Sequence, residues 1–332
     1  MLNEFKDKII LVTGGTGSIG SDLVGRILAY DPKQVRVLSR DESKQYALLK
    51  KLNYPNNLRM LVGDIRDRER LELAFRGVDI VLHAAALKHI PFCEYNPFEA
   101  VKTNIIGSQN IIDAALKVNV SKVVAISTDK VVNPVGVMGV SKLMMEKLFI
   151  NANYYKGVDE TKFSCVRFGN VAWTQGSVLN LWKEQVEKEG ILNLTNDQMT
   201  RFMMSQNEAI NLIEEATNLM DGGEIFALKM SSIEMGDLAR LFIEKYYPGR
   251  NIRIDIIGNR GGEKLHEELL GNSDEGVKIL ENDKLFVITP NVHVYGPERK
   301  VKGDYPGFQE TTERTNYSSK DCINIEKISN II

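Results

Sequence analysis

Ile9-Ile10-Leu11-Val12-Thr13 is a short, β-branched-rich apolar run that passes without a break into Gly14-Gly15-Thr16-Gly17-Ser18-Ile19-Gly20. The apolar run reads as a buried strand, and residues 18–30 behind it as a helix. Glycines at 14, 17 and 20 permit a tight turn, a close backbone approach to a pyrophosphate, and close packing of helix on strand. The helix N-terminus adds unpaired N–H groups and a partial positive charge facing an anion. An ordinary strand-to-helix turn can carry the same glycines. The strand before and the helix after make dinucleotide binding the expectation, with Thr13, Gly14, Thr16, Gly17, Ser18, Ile19 and Gly20 at the cofactor.

The alternation continues beyond this turn. Residues 34–39, 59–62, 80–84, 122–127 and 163–168 read as strands, and 43–52, 66–75, 97–117 and 139–155 as helices. Six apolar runs at regular spacing predict an α/β fold, a Rossmann-like doubly wound parallel sheet. After residue 168 the regularity breaks. Segments 170–177 and 194–206 are polar and turn-rich, helices are expected at 178–189, 207–219 and 234–246, and a strand-like piece lies at 285–289. From 272 onward the pattern is weak. The expected organisation is a dinucleotide-binding domain over 1–168, plus returning segments, and a smaller substrate-binding lobe mainly from 169–332.

The chain has 332 residues, 43% hydrophobic and 26% charged, a globular balance with room for roughly two domains. Forty-two basic against 44 acidic residues leave a formal charge of −2, so no global field draws nucleic acid. No run approaches the roughly 18–20 apolar residues that span a bilayer, and the first residues show no signal-peptide pattern. A cytoplasmic protein without a membrane partner is expected. Cys93, Cys165 and Cys322 have neither metal nor disulfide spacing, which fits a reducing compartment and no metal site.

The second strand ends in Ser39-Arg40-Asp41-Glu42-Ser43-Lys44. Arg40 and Lys44 suit a ribose 2′-phosphate and favour NADP, while Asp41 leaves NAD open and a solvated charge cluster is the plain alternative. Asp64 and Ile65 follow the third strand, where an adenine would lie. Ala84, Ala85 and Ala86 follow the fourth and offer small side chains beside a cofactor. The fifth strand ends in Ser127-Thr128-Asp129-Lys130, and Met138 and Lys142 lie four apart on one helical face. Taken alone, Thr128-Asp129-Lys130 reads equally well as a helix cap with a surface ion pair.

These blocks, together with Ala84-Ala85-Ala86-Leu87-Lys88-His89, Arg167-Phe168-Gly169-Asn170-Val171, Met199-Thr200-Arg201-Phe202 and Arg260-Gly261-Gly262-Glu263-Lys264-Leu265, resemble an extended short-chain dehydrogenase/reductase. Within that superfamily the likeness is to the nucleotide-sugar 4,6-dehydratases acting on UDP-N-acetylglucosamine, of the polysaccharide biosynthesis family. It covers roughly residues 8–270. One position departs: the superfamily normally has tyrosine four residues before the lysine, and here Met138 stands there. A thioether cannot exchange a proton at neutral pH. A subset of the dehydratase branch also carries methionine there, whereas 4-epimerases and simple alcohol dehydrogenases rely on the tyrosine.

The resemblance implies a tightly bound, recycled NADP and a UDP-sugar substrate; a homo-oligomer is expected because the helices at 97–117 and 139–155 can pair with their copies in a four-helix seam. It implies that Asp129 is the acid toward the departing C6 hydroxyl and Lys130 the base at C5, with the lysine pKa lowered by its surroundings. Thr128 would bond the sugar and Lys142 the nicotinamide ribose. Ser127 and Asn104 are further cofactor-side candidates, and Lys88 faces both cofactor and substrate. Asn170, Arg201, Arg260 and Glu263 are substrate-side candidates, with Ser177, Thr195 and Thr200 beside them. For Lys88 and the two arginines the plain alternative is a solvated surface position, and for His83, His89 and His266 a structural histidine. Two other functions stay open: an epimerase or reductase of the same fold, and a non-catalytic NADP-binding sensor.

Overall fold

The computed structural model describes residues 3–157, 159–271, 277–290, 305–311 and 316–332. Seven parallel strands form the centre: β1 (Ile9–Thr13), β2 (Gln34–Ser39), β3 (Leu58–Val62), β4 (Ile80–His83), β5 (Lys122–Ile126), β6 (Lys162–Arg167) and, from the C-terminal half, Ile225–Leu228. Their order is β3-β2-β1-β4-β5-β6 and then Ile225–Leu228. The direction of winding therefore reverses between β1 and β4, where such sheets bind their ligands. Helices α1 (Ser18–Leu28), α2 (Glu42–Lys51) and α3 (Arg68–Phe75) connect the first four strands. The central strands β1, β4 and β5 are mostly apolar, and β4 is buried at all four positions. That is the pattern of a sheet covered on both faces, at about 1.5–3 kcal/mol for each large side chain removed from water.

Helices α4 (Ile90–Tyr95) and α5 (Pro97–Ala100) follow β4. The chain then winds through a wider π-helical stretch, Val101–Ile106, into α6 (Gly107–Lys117). The single helix expected over 97–117 is thus interrupted at Thr103 and Asn104. A three-residue 3₁₀ turn, Asp129–Val131, follows β5, and α7 (Val137–Tyr155) leads to β6.

The lobe is assembled from β7 (Asn170–Val171), α8 (Val178–Glu189), β8 (Ile191–Leu194), β9 (Thr200–Met204), β11 (Ser232–Glu234), α10 (Met235–Tyr246), β12 (Arg253–Ile256) and α11 (Ile325–Ser329). It has its own apolar core around Trp182, Leu238 and Phe242. Helix α9 (Gln206–Leu219) belongs to the main core through Ile210 and Ile213, and Arg26 of α1 bonds its Asn207 and Asn211. Strand β10 is the Ile225–Leu228 segment named above. Strands β13 (Ile279–Glu281), β14 (Leu285–Ile288) and β15 (Gln309–Glu310) extend the same sheet antiparallel beyond it. These strands come from the part of the chain whose pattern reads weakly. Segment 194–206, expected to be polar and turn-rich, contains β9, buried at all five positions.

Candidate active site

At the switch point the glycine turn forms an open cradle. Gly14 has φ +66°, and a Cβ there would lie 2.7 Å from the Ala85 backbone nitrogen. A Cβ on Gly20 would collide with the Gly14 carbonyl. Helix α1 begins after Gly17 with no side-chain cap and no acid in its first turn. Its N–H groups and dipole therefore face the cleft uncompensated, which fits a pyrophosphate. The cleft measures about 430 Å³ and is lined by Gly14, Thr16, Gly17, Ser18, Ile19, Gly20, Arg40, Asp41, Lys44, Asp64, Ile65, Ala84, Ala85, Ala86 and Lys88. The cleft brings those residues together, and the chemistry of the cradle fits a dinucleotide.

Details at the rim divide the charged residues by task. Asp41 caps α2, accepting from the Lys44 backbone at 2.9 Å, so one of its oxygens already serves the helix. Arg40 is exposed and pairs loosely with Asp64 at 3.7 Å, while Lys44 lies 3.8 Å from Asp41. Both cations remain at the cleft edge. Ser18 Oγ accepts from the Gln175 N–H at 2.8 Å, and Lys88 donates to the Gln175 carbonyl at 2.9 Å. The lobe is thereby fastened across the phosphate turn.

Four cofactor-side candidates do not line the cleft. Thr13 is buried and bonds His83 Nδ1 at 2.7 Å. Asn104 is buried, accepts from the Leu87 N–H at 2.8 Å and donates to the Leu87 carbonyl at 3.0 Å. It acts on the loop after β4, and the π-helical stretch sets it at that height. Lys142 is buried, donating to the Ile126 carbonyl at 2.5 Å and the Met145 sulfur at 3.1 Å. These bonds hold it at the end of β5, and it is not among the residues lining the cleft. Burial lowers its pKa to about 8. Ser127 Oγ is buried without a partner.

The 3₁₀ turn after β5 places three polar groups together. Asp129 is fully buried; its Oδ1 accepts from Thr128 Oγ1 at 2.9 Å and from Lys130 Nζ at 2.9 Å. Its Oδ2 has no partner among the described residues. Lys130 Nζ also lies 3.2 Å from Oε1 of Glu267, a residue the sequence reading missed. Glu267 is buried, with Lys264 at 3.3 Å and Arg201 at 3.9 Å. Burial raises the Asp129 pKa, opposed by Lys130 and reinforced by Glu267. For Lys130, burial acts to lower the pKa, but Asp129 and Glu267 outweigh it and the net shift is upward. The expected lowering of the lysine pKa is corrected on this point. Met138 is buried in a small apolar cluster with Cys93 and Ala100, and its own thioether exchanges no proton. It lines a narrow space of about 10 Å³ with Lys130, Lys264 and Glu267, room for about one water.

The substrate-side candidates separate. Asn170 Oδ1 and Ser177 Oγ are buried and unpartnered. A buried polar atom without a partner costs about 1–3 kcal/mol, a cost that Ser127 Oγ and Asp129 Oδ2 share. Arg260 is exposed. Glu263 and Thr195 are half-buried at the loops that follow β12 and β8. Thr200 and Arg201 are committed elsewhere: Thr200 bonds His266 at 2.8 Å and Ser319 at 2.6 Å. Arg201 donates to the carbonyls of Thr200 at 2.8 Å and Lys264 at 2.9 Å. Arg201 thus ties β9 to the segment carrying Glu267, and its expected role as a diphosphate clamp is corrected.

Residues 10–290 match the polysaccharide biosynthesis protein family. A protein of Methanocaldococcus jannaschii, described as an uncharacterized membrane protein, is 49% identical over 99% of this chain and 96% of its own. Among the described residues of this chain, no helix is long and apolar enough to cross a membrane. A Campylobacter jejuni protein named UDP-N-acetylglucosamine 4,6-dehydratase (inverting) is 42% identical over 87% of this chain and 84% of its own. A Rickettsia canadensis protein named UDP-glucose 4-epimerase is 40% identical over 81% of this chain and 80% of its own.

Proposed function

The chain belongs to the polysaccharide biosynthesis protein family, and from that premise we propose that it dehydrates UDP-N-acetylglucosamine to a UDP-4-keto-6-deoxy-N-acetylhexosamine. The observation that carries this reading is the buried contact of Asp129 with Lys130 at 2.9 Å, beside a methionine where epimerases of the superfamily need a tyrosine. The dehydratase relative at 42% identity supports it.

A nicotinamide dinucleotide, held by the Gly14 cradle and the α1 N-terminus, supplies the hydride exchange with the sugar. Arg40 and Lys44 at the rim favour NADP. The chain's own residues move protons. Once C4 is a ketone, the C5 proton is acidified; Lys130 takes it, and Asp129 gives a proton to the C6 hydroxyl, which departs as water. The resting pair is ammonium and carboxylate. Passing one proton from Lys130 Nζ to Asp129 Oδ1 yields a neutral amine and a carboxylic acid, the two forms elimination needs. The C5 proton then restores the ammonium, and protonation of the leaving hydroxyl restores the carboxylate. As C6 is reduced, Lys130 gives its proton back to C5 and regains one from solvent, which took the C4 hydroxyl proton during oxidation, so the proton count closes over the whole cycle. Acid and base groups of this kind contribute about 10²–10⁴-fold each.

Thr128 holds Asp129 and can turn to the sugar. Asn170 and Ser177 supply unpaired acceptors on the lobe side, and Arg260 an available cation for the diphosphate. The space beside Lys130 is about 10 Å³, so a hexose reaches the pair only if the surrounding loops part. Self-association belongs to the same reading: Phe92, Tyr95 and Phe98 of α4 and α5 are exposed, as are Val140 and Met144 of α7. Exposed apolar groups of this size favour a partner surface, and light scattering on the purified protein measures its mass.

A second reading has a specific support: the Rickettsia relative named UDP-glucose 4-epimerase. NMR analysis of the sugar after incubation with UDP-N-acetylglucosamine separates the two. A 6-deoxy-4-keto product supports dehydration, and a C4 epimer with its C6 hydroxyl intact rejects it.

A further inference from the structure

Glu267 lies far from Lys130 in the chain yet places Oε1 3.2 Å from its amine, which also contacts Asp129 Oδ1 at 2.9 Å. Its backbone is fixed on both sides: its N–H donates to Ser319 Oγ at 2.8 Å, and its carbonyl accepts from the Ser319 N–H at 2.8 Å. A buried carboxylate is costly to keep ionised without counter-charge. Here Lys130, Arg201 and Lys264 supply it, outweighing burial and holding the Glu267 carboxyl below its usual range. Ion pairing of Glu267 with Arg201 or Lys264 alone would not require its Oε1 to sit at the Lys130 amine as well, where Asp129 already binds.

We infer that Glu267 is a positioning residue of the elimination site: it fixes the Lys130 amine toward Asp129, and its charge sets the pH range over which those two share a single proton. The inference rests on the dehydration reading for its catalytic meaning. The groups facing Lys130 are Asp129 and Glu267, with Arg201 beyond and Lys264 paired to Glu267. The one-proton state of the Asp129–Lys130 pair is bounded by two macroscopic titrations that belong to the pair. A negative neighbour favours an added proton at both limits. Removing it moves both limits to lower pH.

Glu267→Gln keeps the shape and removes the charge, and Glu267→Asp keeps the charge. Two measurements on the full chain are required: the pH profile of product formation from UDP-N-acetylglucosamine, and the titration of the Lys130 amine by NMR of ¹⁵N-lysine-labelled protein. The lysine signal is assigned by its loss in Lys130→Arg. In Glu267→Gln both limbs of the profile and the lysine titration should move toward acid by about one pH unit or more. In Glu267→Asp they should return toward wild type. Product formation with an unshifted profile and an unshifted lysine titration in Glu267→Gln overturns the inference, even if turnover is uniformly lower. Absence of 6-deoxy-4-keto product from the wild-type protein overturns the dehydration reading instead, and the substrate-free titration tells the two failures apart.

Discussion

Asp129 shows how far a local reading of side chains carries. Its place at the end of β5 is legible from the apolar run before it, and its contact with Lys130 from their adjacency. What no spacing rule reveals is Oδ2, buried and unpartnered, or the second carboxylate at Glu267, because that contact is made by tertiary folding alone. The same blindness reversed the expected direction of the Lys130 shift: its neutralising partners were half invisible. Arg201 was misjudged for a related reason, since carbonyl acceptors from the 264–265 segment cannot be foreseen from its own neighbours. Asp129→Asn should lower turnover of UDP-N-acetylglucosamine at least about a hundredfold, with dinucleotide content unchanged; near-normal turnover would remove its acid role. Arg40→Glu should weaken NADP much more than NAD, because it replaces a phosphate partner with a repelling charge. Equilibrium titration of the stripped protein with each dinucleotide checks this, and an unchanged preference would show that Arg40 does not select.

Among the elements, the βα turn was the most transparent. Glycines at 14, 17 and 20 are demanded by local backbone geometry, so their pattern survives in one dimension. Gly14→Ala places a methyl group 2.7 Å from the Ala85 nitrogen at φ +66°. It should cost about 1–3 kcal/mol of strain and strip the protein of bound dinucleotide. Thermal melting and the absorbance of the purified protein near the nicotinamide band report the two effects. Strand β9 was the least transparent. Thr200 and Arg201 read as polar turn residues, yet both are buried because His266, Ser319 and the backbone satisfy them. Helix α6 and its π-helical entry lie between these extremes: the helix was visible from its periodicity, whereas the widened turns around Thr103 and Asn104 have no sequence period of their own.

The molecule as a whole joins a doubly wound sheet to a lobe made of chain that leaves and re-enters it. The first half was readable because each βαβ unit packs against its sequence neighbours. The second half was not, because β10, β13, β14 and β15 complete a sheet begun far upstream. His83 of β4 links stability to this core. It is buried between Thr13 and Ser108, and burial, reinforced by the charge of Lys142, lowers its pKa from 6.5 to about 3. The unfolded chain binds this proton more tightly, so stability is full above pH 6.5 and falls as pH drops toward 3, by up to about 1.4 kcal/mol per unit. Urea unfolding across that range should show the slope in the wild type and a shallower one in His83→Gln; equal slopes would mean that His83 is not the group responsible. The function itself is tested most directly by following one atom. UDP-N-acetylglucosamine deuterated at C4, incubated with the protein as purified and without added dinucleotide, should yield a 6-deoxy-4-keto sugar with the deuterium in its C6 methyl group. Deuterium kept at C4 of an epimer, or no change to the sugar at all, would contradict dehydration by Asp129 and Lys130.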